Sequence, residues 1–305
     1  ATGGGAGSAG AALVGRLSEN ADLRILLLEA GPDYSSRAAT PVDLLDSRNL
    51  AGMTHDWHFT ATPVAGRSIP YRRGRVTGGT SAINAAAAQW GRPEDFAEWV
   101  RGGNAQWSWS HVEPYFRKLE ADRVGPPGRH GECGPVTIDR YADDELMPIQ
   151  RAFRDACLEA GFPAVHDHNA IAGSGVGPWP LNREGITRIS TALAYLEPAR
   201  SRPNLTIRSD ATVARLLFDG IHAVGVALVG GEQDGHRITG SGWDTRTGRG
   251  DLLLILHLRA DVLEQARLGE LREPDVIHQR DVDRPSVGHA GRDPVVERQV
   301  VDGLG

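Results

Sequence analysis

The chain has 305 residues, 40% of them hydrophobic and 24% charged, with a formal net charge of -6 at pH 7. That length allows one large or two smaller cores, and a mildly acidic chain with no standout basic patch argues against a nucleic-acid binder. No window approaches the roughly 18 consecutive apolar residues that cross a bilayer; Cys133 and Cys157 stand far apart without CxxC or metal-type spacing, so a reducing, cytoplasmic setting is expected.

Only Ala1, Thr2, Gly3 and Gly4 precede the first glycine turn. No strand of useful length can be built from them, and with no initiating Met the chain reads as beginning inside a larger protein. Gly5, Gly7 and Gly10 then form a GxGxxG pattern, followed by a helix carrying Ala11, Leu13, Val14 and Leu17, and a short apolar strand from Arg24 to Leu28 ending at Glu29. This is a dinucleotide-binding unit in outline. One glycine serves the turn, one lets backbone N–H groups approach a pyrophosphate, and one lets helix pack closely on sheet. The phosphates would lie at the helix N-terminus, where unpaired N–H groups and the helix dipole favour negative charge. Glu29 follows Gly10 at close to the roughly 20-residue offset at which a carboxylate holds ribose hydroxyls.

Gly31 and Pro32 close the strand and open an irregular, polar passage to about Val64, in which Trp57, His58 and Phe59 alternate with Thr60 and Thr62 like a strand. With no carboxylate or cysteine at supporting spacing, His55 and His58 read as surface or loop histidines rather than metal ligands. The stretch from Gly74 to Gly91, GRVTGGTSAINAAAAQWG, reads as a glycine loop entering a tightly packed helix, with Thr80 or Ser81 as its N-cap. The small residues Ala85 to Ala88 let another body lie against the backbone, either a neighbouring helix or a flat cofactor; periodicity alone does not choose.

Taken together, Gly5 to Glu29 and Gly74 to Trp99 resemble the glucose–methanol–choline (GMC) oxidoreductase family of flavoenzymes. The family's first signature, G-R-x-aliphatic-G-G-S/T-S-x-I-N, stands here as Gly74, Arg75, Val76, Thr77, Gly78, Gly79, Thr80, Ser81, Ala82, Ile83 and Asn84, with Thr77 in place of the aliphatic residue. Further matches run through Trp107, Ser108, Trp109, Pro114, Tyr115 and Phe116, and through His130, Gly131, Gly134 and Pro135.

From Val112 to Leu119 the pattern is an amphipathic helix, a Gly/Pro passage leads to a strand at Val136 to Ile138, and Pro148 opens a helix stopped by Gly161. Ile149, Ala152, Phe153, Ala156 and Cys157 share one face of that helix, so Cys157 is expected in a core. His166, Asp167 and His168 superficially suggest a metal, but adjacent turn histidines rarely share one ion, and the resemblance places Asp167 and Asn169 in a structural loop. Ser190 reads as the N-cap of a helix over Thr191 to Leu196, broken by Arg202 and Pro203, and strands follow at Asn204 to Arg208, Thr212 to Phe218 and Ala223 to Val229.

Beyond about Gly231 the resemblance stops, and the family's second signature is missing. One apolar burst, Leu252 to Leu258, sits in charged surroundings without the periodic faces of a packed domain. All but one of the 33 basic residues, Lys118, are arginine, a bias that with so much Ala and Gly suggests a GC-rich coding sequence. An out-of-frame tail is therefore expected, with a divergent or disordered tail as the alternative. The other reading frames of the DNA test this: the idea fails if neither restores the second signature within residues 232–305.

The fold class expected is α/β with α+β character, a Rossmann-like FAD-binding domain with a discontinuous substrate domain, incomplete at both ends. Residues 1–40 are its first part, 41–73 a connection, 74–100 the FAD-binding loop and helix, 101–189 substrate-domain and connecting elements, 190–231 the return strands, and 232–305 the atypical tail. The resemblance implies FAD contacts at Gly5, Gly7, Ser8, Ala9, Gly10, Glu29, Ala30, Gly79, Thr80, Asn84, Ala85, Ala87 and Val213, the last holding adenine through its backbone. Ile83 stands where some relatives carry the histidine that attaches flavin, so noncovalent FAD is expected. The implied reaction is hydride transfer from an alcohol carbon to flavin N5, in the manner of the choline dehydrogenase branch, on a small-molecule alcohol. The family's base is a histidine near the C-terminus; none of His236, His257, His278 or His289 sits in a matching motif, so no catalytic residue is assigned. The rival readings are an FAD-binding remnant without turnover and an NAD-dependent Rossmann dehydrogenase.

Overall fold

The computed structural model describes residues 5–49, 54–170, 174–219, 222–229, 237–239, 243–244 and 249–254. The glycine turn runs into α1 (Ser8–Leu17), whose C-terminal carbonyl at Gly15 accepts a hydrogen bond from the Arg202 guanidinium at 2.6 Å. A cation there satisfies a free carbonyl and complements the helix dipole. Next comes β1 (Leu23–Leu28). Leu23, Ile25 and Leu27 pack on Ala11 and Val14 of α1 and on Leu196, Ala199 and Leu205, while Leu28 packs with Ala211, Val213, Val226 and Leu228. A parallel strand covered on both faces needs a near-continuous apolar run rather than alternation, and Ile25, Leu26, Leu27 and Leu28 supply one.

The chain continues through α2 (Val42–Leu45), the hairpin β2 (Phe59–Val64) and β3 (Arg67–Tyr71), α3 (Pro93–Arg101), α4 (Trp109–Leu119), the parallel pair β4 (Glu120–Asp122) and β5 (Val136–Ile138), and α5 (Pro148–Glu159). The short pair β6 (Arg183–Glu184) and β7 (Thr187–Arg188) precedes a π-helical turn, Ala192–Leu196, which passes into a 3-10 turn, Glu197–Ala199. At the start of this helix the Ser190 hydroxyl oxygen accepts from Leu193 N at 3.4 Å. Then follow β8 (Leu205–Arg208), β9 (Val213–Asp219), β10 (His222–Leu228), β11 (Arg237–Thr239), β12 (Trp243–Asp244) and β13 (Arg249–Leu254). One sheet has the order β12-β13-β1-β8, with β1 parallel to both neighbours, and β11-β10-β9 form a second, antiparallel sheet.

Four expectations are corrected. Residues 83–92 are not a helix: after a 3-10 turn, Gly79–Ala82, the Asn84 side chain accepts a hydrogen bond from Ala86 N at 2.9 Å and Ala86 takes φ +59°. This left-handed turn sends the chain into an extended run in which Ala87 bridges Leu181; the N-cap of the 3-10 turn is Gly78, with Thr80 and Ser81 inside it. The apolar face of α5 is uncovered, Ile149 and Phe153 being 70% and 66% exposed and Cys157 only half-buried, because no described element packs on it. His55 is buried, between the Tyr34 hydroxyl at 2.8 Å and Thr54, whereas His58 is exposed. Finally, a paired strand does occur in the tail: β13 lies beside β1, on the side where the strand entering a Rossmann glycine turn would lie. The expectations for residues 1–4 and for 255–305 lie outside the described residues.

Candidate cofactor site

The two glycine-bearing turns meet face to face. Gly78 N donates to Ala6 O at 2.6 Å, and Ser81 N donates to the Ser8 hydroxyl at 3.0 Å. Gly79 has φ +53°, and a Cβ there would come within 2.6 Å of Gly7 Cα. The missing Cβ at Gly79 is what lets the two backbones approach so closely. The Ser81 hydroxyl donates to Gly78 O at 2.6 Å and accepts from Thr191 N at 3.0 Å, so the start of the 192–196 helix is tied to the same turn. Thr80 Oγ1 accepts from Gly74 N at 3.2 Å and Asn84 N donates to Thr80 O at 3.0 Å, which fixes where Asn84 begins its extended run.

Glu29 lies at the C-terminal end of β1, almost fully buried. Burial raises its carboxyl to about 7, against the opposing pull of backbone N–H groups at Gly31, Ala6 and Ala30 and the charge of Arg75. Its contact with Ala6 puts it beside the first glycine turn, and Ala30 O accepts from Arg75 at 3.0 Å, drawing the Gly74–Asn84 signature loop to the same place. Ala211 N donates to Glu29 O at 2.8 Å and leads directly into Val213, which is buried against Leu28. The structure therefore brings together Gly5, Gly7, Ser8, Ala9, Gly10, Glu29, Ala30, Gly79, Thr80 and Val213 around the end of β1 and the start of α1. Asn84, Ala85 and Ala87 lie further along the second turn, and Ala85 and Ala87 are exposed.

This arrangement fits an extended dinucleotide. A Cβ on Gly7 would meet only Gly5 O, at 4.0 Å, so the space over the turn is open. The first internal bond of α1 is Ala11 N to Gly7 O at 2.9 Å, which leaves the N–H groups of Ser8, Ala9 and Gly10 outside the helical ladder, where phosphate oxygens are bound. Ser8 and Ala9 are exposed, and Glu29 supplies a desolvated carboxylate for hydroxyl donors.

Residues 2–242 match the family described as GMC oxidoreductase. The chain belongs to the GMC oxidoreductase family. The match reaches past Gly231, where the resemblance read from the sequence stops. The chain is 39% identical over 238 residues to an oxygen-dependent choline dehydrogenase of Ectopseudomonas mendocina, covering 75% of this chain and 42% of that one. It is 37% identical over 236 residues to the mitochondrial choline dehydrogenase of Homo sapiens, covering 74% and 39%. Among solved structures, pyridoxine 4-oxidase from Mesorbium loti is similar at 35% identity and a TM-score of 0.67, covering 75% of this chain and 45% of that one. This GMC chain thus spans less than half the length of these relatives.

Two features of this GMC site escaped sequence reasoning. Arg188 is fully buried and donates to the carbonyls of Leu44 at 2.5 Å, Ala82 at 3.0 Å, Asp46 at 3.1 Å and Asn49, clamping the segment around α2 to the end of the signature turn. Burial pulls its guanidinium below the ordinary range. The only signal in the sequence was an arginine among apolar neighbours near Ile189 and Ser190. The second is the Ser8–Ser81–Thr191 set, in which the Ser8 hydroxyl accepts from Ser81 N and the Ser81 hydroxyl accepts from Thr191 N; it joins residues far apart in the chain and leaves no periodic trace. His166–His168 hold no shared ligand set: Asp167 turns to His130 and Arg140, and His168 packs on Trp179.

Proposed function

We propose that this chain binds FAD noncovalently and forms the cofactor-holding part of an alcohol-oxidising flavoenzyme of the choline dehydrogenase branch. The observation that carries the reading is the meeting of Gly7 with Gly79 beside the buried Glu29. The N–H groups of Ser8, Ala9 and Gly10 would hold the pyrophosphate, Glu29 the ribose hydroxyls, Val213 the adenine through its backbone, and Thr80, Asn84, Ala85 and Ala87 the ring system. When bound, FAD supplies a hydride acceptor at flavin N5 for the carbon of a small-molecule alcohol. The chain's part is to orient it and to surround it with small side chains. Ile83 is buried among Leu44, Val76 and Ala82, and an alkyl side chain has no nucleophile to bond a flavin, which supports noncovalent attachment. Two unpaired cysteines fit a reducing, cytoplasmic setting.

Because the chain spans less than half of its relatives' length, a second reading has FAD held without turnover. Purified protein incubated with FAD and freed of excess should retain the visible flavin absorbance, and NAD should not compete. Bleaching of that absorbance by an added alcohol such as choline supports the enzyme reading; retained absorbance without bleaching supports the holding role alone. Failure to retain FAD at all removes both.

A further inference from the structure

Five ionisable side chains from four parts of the sequence meet in the interior on the far side of the Asn84–Trp90 run. Glu120 and Asp122 come from β4, His130 from the loop that follows, Arg140 from just past β5, and Asp167 from the turn after α5; all five are buried. His130 Nδ1 lies 2.7 Å from Glu120 Oε1, and Nε2 lies 3.0 Å from Asp167 Oδ2. Arg140 donates to both oxygens of Asp122 at 2.8 Å and reaches Asp167 at 3.5 Å. Charged groups packed around the cluster include Arg129, which donates to Asn169 O at 3.1 Å, Arg117 of α4, which donates to Gly128 O, Arg183, which donates to Arg140 O at 2.7 Å, and Asp139, which accepts from Arg140 N at 2.7 Å.

The geometry decides the protonation state. An ionised carboxylate only accepts, and a neutral imidazole has one N–H, so a ring with a carboxylate oxygen at each nitrogen needs both protons. Each carboxyl also accepts from a further donor: Trp90 Nε1 to Glu120 at 3.1 Å, Gly125 N to Asp122 at 2.8 Å, and Asn169 N to Asp167 at 2.9 Å. Burial would raise Asp122, but the hydrogen bonds from Arg140 and Gly125 outweigh it and hold that carboxyl below the usual carboxylate range. Arg140 alone would leave three carboxylates facing one cation, and His130 as imidazolium reduces that excess.

The cluster connects to the cofactor segment through a short path. Asn169, whose turn is set by Asp167, accepts from Trp90 N at 2.8 Å and donates to Ala88 O at 3.1 Å. The Trp90 ring itself sits 5.1 Å from the His130 ring. We propose that His130 is a buried imidazolium that acts as a positioning residue, locking the Asn84–Trp90 run through Asp167 and Asn169, so that alkali releases the run and with it the cofactor. The last clause rests on the FAD reading above; the lock does not.

The direction of titration agrees. Burial alone would disfavour the charged ring, but hydrogen bonds to Glu120 and Asp167, with the charges of Glu120 and Asp122, outweigh it and raise the pKa. A raised histidine contributes stability that is present below the free value of about 6.5 and is lost as pH rises through the folded value. Once the proton leaves, one ring lone pair faces a carboxylate at hydrogen-bond distance, and the Asp167 turn is pushed away.

The test is a pH titration of the full chain labelled with nitrogen-15 histidine, following ring nitrogens by two-bond proton–nitrogen spectra from about pH 6 to about pH 10. One histidine should stay doubly protonated after the others have lost a proton, and His130→Gln should remove that signal; tryptophan emission should shift at the same midpoint. If no histidine titrates above the rest, or the late one survives in His130→Gln, the proposal is overturned. Emission that ignores the titration overturns the lock. Where the variant does not fold, the wild-type spectra and emission still decide. FAD affinity should then weaken by up to about tenfold per pH unit above the midpoint. Affinity flat through that midpoint overturns the cofactor clause, whereas no FAD binding at any pH overturns the cofactor reading and leaves the lock to the spectra.

Discussion

At the scale of single residues, the candidate positions converge most directly where the backbone is the group in contact. Gly79 has no side chain to misplace, and its pairing with Gly7 follows from a close approach that a Cβ on Gly79 would block. Glu29 is different, because its consequence depends on burial that only the fold supplies. With a folded pKa of about 7 against the ordinary 4.5, Glu29 keeps a proton that the unfolded chain has released. Its contribution to stability is therefore present in acid and is lost as pH rises toward and through about 7. Ribose hydroxyls donate to the ionised form, so FAD affinity should move the other way, strengthening between about pH 6 and about pH 8 with release of a proton on binding. Calorimetry in buffers of different ionisation enthalpy measures that proton, and Glu29→Gln should abolish it. An unchanged proton count in the variant would mean another group titrates.

At the scale of elements, the strands of the FAD-binding part were legible and the helices only half so. β1, β8, β9 and β10 fall within a residue or two of their sequence positions, since short apolar or alternating runs against Gly, Pro and Asn breaks are a local signal. The Ala85–Ala88 run has high helix propensity, yet one Asn84-to-Ala86 hydrogen bond and the pairing of Ala87 with Leu181 override it. The periodicity of α5 is correctly helical, but periodicity does not say whether anything covers the apolar face. As Phe153 is 66% exposed, Phe153→Ser should change stability of this chain by no more than about 0.5 kcal/mol, where a core phenylalanine would cost about 3. Urea unfolding of the two proteins distinguishes these outcomes.

At the scale of the whole molecule, buried polar groups join distant parts alongside the separate apolar clusters of the described residues. Arg188 is the clearest case: a single guanidinium holds carbonyls from the α2 segment and from the signature turn. Arg188→Met would leave those carbonyls buried without donors, at a cost of about 3 kcal/mol or more. It should also weaken FAD binding, because the signature turn loses its anchor; a thermal melt and a flavin titration read the two effects. Arg188→Lys should recover little, since an ammonium cannot reach several carbonyls in the plane of a fork.

The amino-acid sequence by itself determined the glycine turn, the signature loop, the family and the positions of β1, β2, β5, β8, β9 and β10, because glycine spacing and alternation act over a few neighbouring residues. Only the tertiary structure decided that His55 is buried, that α5 stands uncovered, that β13 takes the place beside β1, and that His130 and Arg188 hold separate segments together. Each of those depends on which surfaces meet after the chain has folded, and contacts between residues scores of positions apart leave no local pattern to read.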